Sequence, residues 1–112
     1  MYERGAVVRS VDPFKLGADA ERYWLVISND SHPFGDEQVI AVTLTTVTHE
    51  PTMAIPDDAW VEGGGSRESV VSPWGVHSFH VERITEQVGR LDESFVADVV
   101  AAMIGYVESS PH

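Results

Sequence analysis

The 112-residue sequence contains no cysteine, which excludes disulfide bonds, thiol nucleophiles and cysteine-ligated metals. It also lacks any apolar run near the roughly 20 residues that a membrane-spanning helix needs. The N-terminal residues, MYERGAVVRS, have no apolar core of the kind found in secretory signals. These absences predict a soluble, cytoplasmic protein that folds as one domain over residues 1–112.

Positive charge is scarce. The chain has 18 acidic residues against 7 basic ones, with Lys15 as its single lysine, and a formal net charge of -11. The acids are dispersed and 43% of residues are hydrophobic, which is unlike a disordered acidic tail. Dispersed acid with almost no lysine is typical of proteins adapted to high salt, where charge is screened within about 3 Å at 1 M. Any nucleic-acid partner would then need a local basic patch.

Two apolar runs, Trp24–Ile27 and Val39–Leu44, are rich in β-branched and aromatic residues, and we predict that they form the buried middle of a sheet. The polar residues 29–37 connect them. Arg22 precedes the first run, whereas Thr43, Thr45 and Thr46 end the second. The pattern therefore predicts a cation and several hydroxyls close together at one sheet edge.

The remaining pattern predicts a barrel-like sheet with one helix packed on it. The helix follows Asp92, a suitable N-cap, and its apolar residues recur at helical spacing. Glu93 suits the positive end of the helix dipole. The apolar face comprises Phe95, Val96, Val99, Val100, Met103, Ile104 and Val107. Further strands are predicted at 5–11, 52–56, 69–72, 76–80 and 84–88, and loops at 12–21 and 57–68, the second containing Gly63-Gly64-Gly65.

Residue chemistry alone leaves each candidate with an ordinary alternative. Arg22 could grip a phosphate through its fork of donors, or form an ion pair with an acid such as Glu21 or Asp30. The hydroxyls of Thr45 and Thr46 could bind a substrate, yet threonine is common in strands.

The histidines predict no metal site. His77 and His80 lie three apart on a predicted strand and so point to opposite faces, which argues against a shared metal ion. His77 could instead serve as a general acid or base, or be an ordinary surface histidine. His32, His49 and His112 follow no ligand spacing, and no metal or cofactor is predicted.

Five segments, in order along nearly the whole chain, resemble the MazF/PemK toxins of toxin-antitoxin systems. The residues 22–30, RYWLVISND, are similar to the family's RP-x-LVIS-ND segment. Two more are RGAVV at 4–8, which is similar to the family's RGDVV, and VIAVTLTT at 39–46, which is similar to VIVVPITS. The last two are ESVV at 68–71, which is similar to DSVV, and ITEQVGRL at 84–91, which is similar to I-x-x-x-IGRL.

This resemblance implies a compact SH3-like β-barrel of the CcdB/MazF/PemK type, with five to seven antiparallel strands and a C-terminal helix. It also implies a homodimer, a cognate antitoxin, and metal-independent cleavage of single-stranded RNA such as mRNA. In that reaction the 2′-hydroxyl attacks the adjacent phosphate and leaves a 2′,3′-cyclic phosphate and a 5′-hydroxyl. By motif position Arg22 and Thr45 are the catalytic pair, and Thr46, Asn29 and Trp74 are candidates for RNA binding.

The chain departs from the family pattern at two places. Tyr23 replaces the proline that follows the arginine. The span Trp74-Gly75-Val76-His77 stands where the family has an acid and glutamine, then an aliphatic and a basic residue, which help to line the RNA groove. His77 is therefore a third catalytic candidate, since it could supply the titratable group that an arginine lacks.

Two other functions fit the resemblance. One is a CcdB-like toxin that inhibits a protein target such as DNA gyrase without cutting RNA. The other is a catalytically degenerate member that serves only as an antitoxin-binding or regulatory subunit, which the altered span 74–77 would suit. Retention of Arg22 and Thr45 favours the ribonuclease, although fold alone does not fix function.

Overall fold

The computed structural model describes residues 2–11, 21–46, 51–64 and 69–109. It shows seven antiparallel strands in one sheet, in the order β4-β6-β3-β2-β1-β7-β5, and a C-terminal helix. The elements are β1 Ala6–Val11, β2 Glu21–Val26, β3 Gln38–Thr45, β4 Met53–Ala54, β5 Trp60–Gly63, β6 Val70–His80, β7 Ile84–Leu91 and α1 Glu93–Gly105. Some of the predictions fall on residues outside the described ranges. These residues are 12–20 of the loop predicted at 12–21, 65–68 of the loop predicted at 57–68, His49 and His112.

The sheet curls strongly on itself. Strands β6 and β7 are second and sixth in the strand order, yet only a three-residue 3₁₀ turn, Val81–Arg83, joins them. So short a connection can span the gap only if the two halves of the sheet approach each other. The prediction of a mainly β, barrel-like fold with a terminal helix is therefore confirmed.

The curled sheet has an apolar cluster on each side, because successive strand residues point to opposite faces. One cluster lies beneath α1 and defines what we call the helix face. The other lies inside the curl and defines the inner face. Trp24, Leu25, Val26, Ala41 and Val42 are completely buried, which confirms the predicted buried middle. The helix face includes Val7, Leu25, Val42, Leu91, Phe95, Val96 and Val99, and the inner face includes Ala6, Val8, Trp24, Val26, Val39, Ala41 and Phe79.

The sequence predicted two separate strands at 69–72 and 76–80. The structure instead has one strand, β6, with a bulge in it. Val42 pairs with Val76 of β6, but the next residue, Thr43, pairs with Ser72. Three residues, 73–75, are therefore extra on the β6 side. Proline cannot donate to the ladder, so Pro73 is well suited to a bulge.

The prediction of a loop at 57–68 is wrong for the first half of that range. These residues form a 3₁₀ turn, Asp57–Ala59, followed by β5. Strand β5 pairs with β7 and packs closely on it. Gly63 has φ +61°, and a Cβ there would collide with the carbonyl oxygen of Val88. This glycine is needed for close approach between two strands, and β5 was missed because it contains only two apolar residues.

Helix α1 begins where predicted. The Asp92 carboxylate accepts a hydrogen bond from the backbone N–H of Phe95 at 2.8 Å, as an N-cap does. The apolar face is buried at the start of the helix but not at its end, since Ile104 is 41% exposed and Val107 lies beyond the helix and is 74% exposed. Within the described residues no helix is long and apolar enough to cross a membrane.

Candidate functional site

Arg22 and Thr45 lie on the neighbouring strands β2 and β3. The pairing of these strands ends with Trp24 and Thr43, so Arg22 lies two residues beyond it on β2 and Thr45 two residues beyond it on β3. Side chains two residues apart along a strand share a face, so both belong to the inner face with Trp24, and both are half-buried. Arg22 and Thr45 therefore lie at the same end of β2 and β3.

The same row continues across two more strands. Ser10 of β1 pairs with Arg22 on one side and with Ile84 of β7 on the other. We call the row of Thr45, Arg22, Ser10 and Ile84 the site row. Because neighbouring strands are about 4.8 Å apart, the backbones of Arg22 and Ile84 are separated by about 10 Å.

The position of Thr43 explains why residue 75 is a glycine. Thr43 is 3% exposed, and a Cβ built on Gly75 would lie only 2.5 Å from its Oγ1. A glutamine or any other side chain at position 75 would have to displace Thr43. Glycine here is therefore a packing requirement of this chain.

His77 lies on the inner face, but in a different row. It pairs with Ala41, four residues from Thr45 along β3, or about 13 Å at the usual strand rise. Its half-buried ring contacts Trp24, with centroids 5.9 Å apart. Trp24 is fully buried, and its indole N–H has no hydrogen-bond partner within the described part of the chain.

The three residues predicted to bind RNA occupy three different places. Thr46 is exposed and directly follows Thr45 at the site row. Asn29 follows the opposite end of β2, where its Oδ1 accepts from the backbone N–H of Ser31 at 2.9 Å. Trp74 is 43% exposed on the bulge and meets the ring of Tyr106 edge-on, at 5.9 Å. Only Thr46 therefore lies beside Arg22 and Thr45.

Asn29 also borders a separate cavity of about 430 Å³, lined in part by Arg4, Asp30, His32 and Asp36. It opens at the end of β2 far from Arg22. Its three lining carboxylates, those of Glu3, Asp30 and Asp36, are exposed, and they make this cavity a poor receptor for an anion.

Most arginines whose side chains are described are neutralised by acids. The guanidinium of Arg4 hydrogen-bonds to Glu93, which raises the pKa of Arg4 and lowers the pKa of Glu93. The three ion pairs are Arg4–Glu93 at 2.7 Å, Arg9–Glu86 at 2.8 Å and Arg90–Glu62 at 3.8 Å. In the described ranges no three histidine or carboxylate side chains are grouped as a metal site would require.

The sequence reasoning missed Arg83. A pocket of about 470 Å³ at the end of β6 has His77, His80 and Arg83 in its wall. These three residues recur at a spacing of three, and that spacing is the sequence signal that could have drawn attention to Arg83.

Fold and site together define a class: a small SH3-like barrel, closed on one side by its C-terminal helix and carrying an arginine-threonine pair on the other. The model of the PemK-like, MazF-like toxins of type II toxin-antitoxin systems matches residues 3–106, and the chain belongs to this family.

Solved structures share the fold. The MazE-MazF complex (Form-III) from Deinococcus radiodurans has a TM-score of 0.75 and 20% identity, with 97% of this chain and 98% of that chain covered. A mycobacterial endoribonuclease in complex with its cognate antitoxin has a TM-score of 0.66 and 17% identity, covering 94% and 90%. The toxin MazF-mt6 of Mycobacterium tuberculosis has a TM-score of 0.64 and 19% identity, covering 90% and 93%. The search of curated proteins found no match.

Proposed function

We propose that this toxin is a metal-independent endoribonuclease that cuts single-stranded RNA in the cytoplasm. The observation that carries the proposal is that Arg22 and Thr45 lie at the same end of the paired strands β2 and β3, both on the inner face. Family membership supports it, as does the likeness to a mycobacterial protein described as an endoribonuclease.

The proposed reaction uses the substrate's own 2′-hydroxyl as nucleophile. Its oxygen bonds to the adjacent phosphorus, the bond to the 5′-oxygen breaks, and a proton passes to that leaving oxygen. The products are a 2′,3′-cyclic phosphate and a 5′-hydroxyl. Fixed positive charge stabilises the crowded phosphorane most, because that is where negative charge accumulates.

Arg22 meets the need for charge. A guanidinium offers several donors in a fixed fork and remains protonated, so it suits the phosphorane oxygens and does not suit the role of base. Thr45, on the next strand, would hold a phosphate oxygen or orient the 2′-hydroxyl through its own hydroxyl. In this proposal Thr46 contacts RNA next to Thr45, whereas Asn29 and Trp74 would contact more distant parts of a long strand.

His77 is the proposed source of proton transfer. Histidine is the side chain most often used for general acid or base catalysis, a role that suits neither a guanidinium nor a threonine hydroxyl. Its row is the second from the site row, with the row of Thr43 and Trp24 between them, so contact with the reacting nucleotide requires the RNA to run along the inner face from one row to the other.

We further propose a cognate antitoxin and a homodimer as partners. Large apolar side chains are exposed to water at the end of α1 and at the bulge of β6. Such an apolar patch supports association with another protein. The patch comprises Trp74, Val76, Ile104, Tyr106 and Val107. The solved complexes with antitoxins support the first partner.

The test is cleavage of a long single-stranded RNA by the purified protein, in molar salt with EDTA. Arg22→Gln should lower the rate by about 10²- to 10³-fold, the usual loss when one donor to a developing oxyanion is removed. Thr45→Val, which keeps the shape but removes the hydroxyl, should be impaired far more than Thr45→Ser. Arg90→Gln, which removes an arginine that is paired with Glu62, is the matched control and should cleave normally.

Each outcome separates the candidate functions. No cleavage by the wild type would favour the CcdB-like or degenerate alternatives. Equal cleavage by wild type, Arg22→Gln and Thr45→Val would show that these residues are not the catalytic pair.

A further inference from the structure

The pocket at the end of β6 contains several hydrogen-bond donors in an otherwise acidic protein. It lies where β6 turns through Val81–Arg83 into β7, and its volume is about 470 Å³. His77 belongs both to this pocket and to the inner face, so the pocket opens on the face that carries Arg22 and Thr45. Its full lining is Gln38, His77, Ser78, Phe79, His80 and Arg83.

Arg83 is held next to the site row. The Ser10 hydroxyl donates a hydrogen bond to the backbone carbonyl of Arg83 at 3.0 Å, and Ser10 is only 1% exposed. Ser10 is also the residue that pairs with Arg22. One buried serine therefore fixes the backbone of Arg83 two strands from Arg22, about 10 Å away.

The guanidinium of Arg83 is available for a ligand. Arg4, Arg9 and Arg90 are each paired with a glutamate. Arg83 is exposed, and within the described residues no acid forms an ion pair with it. A guanidinium in this state is well suited to bind phosphate, because its donors match phosphate oxygens in pairs.

His80 adds a donor of known orientation. Its Nδ1 accepts a hydrogen bond from the backbone N–H of Glu82 at 3.1 Å, which assigns the proton of the neutral ring to Nε2. Nε2–H can therefore donate to a ligand without protonation of the ring. The Glu82 carboxylate lies 4.0 Å from Nδ1, but its side chain is 86% exposed and is screened by solvent.

We propose that this pocket binds a phosphate of the RNA strand beside the phosphate that is cleaved, through the guanidinium of Arg83 and Nε2–H of His80. The choice of RNA as ligand rests on the proposed ribonuclease function. The subsite would fix the register of the strand over Arg22 and Thr45. Arg83 and His80 are then positioning residues and do not touch the reacting atoms.

The test measures equilibrium binding of a short, fluorescein-labelled single-stranded oligoribonucleotide with 2′-O-methyl riboses, which cannot be cleaved because the nucleophile is blocked. Arg83→Gln should weaken binding by about tenfold, as expected for loss of a charge-assisted hydrogen bond. It should also lower the slope of log affinity against log salt by about 0.7, the value for one phosphate contact on a single strand. Arg90→Gln is the control with the same loss of charge, and its affinity and slope should match the wild type.

Two substitutions at His80 separate ligand binding from a purely structural role. Gln places an amide N–H near the position of Nε2, whereas Asn places an acceptor near Nδ1 and so keeps the hydrogen bond from Glu82. If His80 binds phosphate, His80→Gln should bind the oligonucleotide nearly as well as the wild type, and His80→Asn several-fold more weakly. The reverse order would show that His80 only caps the 3₁₀ turn. Glu82→Gln should tighten binding, because it removes a negative charge beside the pocket.

Failure of the subsite and failure of the ribonuclease proposal give different results. If the wild type cleaves RNA but Arg83→Gln binds the oligonucleotide with unchanged affinity and slope, the subsite alone is overturned. The same conclusion follows if Arg90→Gln loses as much affinity as Arg83→Gln. If the wild type neither cleaves RNA nor binds the oligonucleotide, both proposals fall.

Discussion

At the scale of single residues, the proposed chemistry divides between groups that hold charge and one group that can move a proton. Arg22 is held in β2 by pairing with Ser10, and Thr45 in β3 by pairing with Val70, so their placement depends on backbone pairing and not on a flexible loop. His77 is held differently, by ring contacts with Trp24 and Phe79. In the proposed function, residues held in place before RNA binds lower the entropy cost of binding.

His77 gives a residue-scale prediction. If it transfers a proton, His77→Ala should lower the cleavage rate by about 10²-fold and remove a change in rate between about pH 5 and 8, where imidazoles titrate. The measurement is the cleavage rate of the wild type and of His77→Ala across this range. His32→Ala, in the loop before β3, is the matched control and should keep the wild-type shape of the profile. An unchanged profile in His77→Ala would leave His77 as a packing residue of Trp24.

Individual residues show how much of the candidate site could be predicted from the sequence. Arg22 and Thr45 were identified through motif resemblance, and in the structure they lie at the same end of β2 and β3. Arg83 could not be found in that way, because its importance depends on which arginines pair with acids and on the hydrogen bond from Ser10, both of which exist only in the folded chain. The departure at Gly75 could be read in the sequence, but its reason, the oxygen of Thr43, could not.

At the scale of elements, the long strands and the helix were predictable and the irregular parts were not. Trp24–Ile27 and Val39–Leu44 carry a dense apolar signal, and Asp92 begins α1 as an N-cap. Strand β5 has too few apolar residues to be recognised alone, and its position depends on pairing with β7. The bulge of β6 joins two predicted strands, since Pro73 and Gly75 normally indicate a break.

The bulge gives an element-scale prediction. Gly75→Ala places a Cβ 2.5 Å from Thr43 Oγ1, so it should lower the free energy of unfolding by about 1–3 kcal/mol, the usual cost of overpacking. The measurement is chemical denaturation at equilibrium. Gly64→Ala is the control, because a Cβ there meets nothing within 4 Å. Combining Gly75→Ala with Thr43→Ala should recover part of the loss, and strictly additive effects would show that the two residues do not clash.

At the scale of the whole molecule, charge and the exposed apolar patch act in opposite directions on association. A net charge of -11 keeps copies apart at low salt, and salt screens this repulsion. The patch formed by Trp74, Val76, Ile104, Tyr106 and Val107 favours contact once charge is screened. The proposed homodimer should therefore strengthen as salt rises.

Sedimentation equilibrium in low and in molar salt measures this directly. We expect dimers in molar salt, and we expect Tyr106→Glu to weaken the dimer by at least tenfold because it places a charge in an apolar contact. Phe34→Glu is the control, since Phe34 is also exposed, at 57%, but lies in the loop before β3. A wild type that stays monomeric in molar salt, or equal weakening by both variants, would contradict dimerisation through the patch.

In the proposed reaction the RNA's own 2′-hydroxyl is the nucleophile and the Arg22–Thr45 pair promotes its attack. The identity of the new ends tests this when wild-type protein cuts a single-stranded RNA in EDTA and the fragments are analysed by mass spectrometry. We expect a 2′,3′-cyclic phosphate on one fragment and a 5′-hydroxyl on the other, and no cleavage of the same RNA with 2′-O-methyl riboses. Fragments with 3′-hydroxyl and 5′-phosphate ends, or cleavage of the methylated strand, would contradict it.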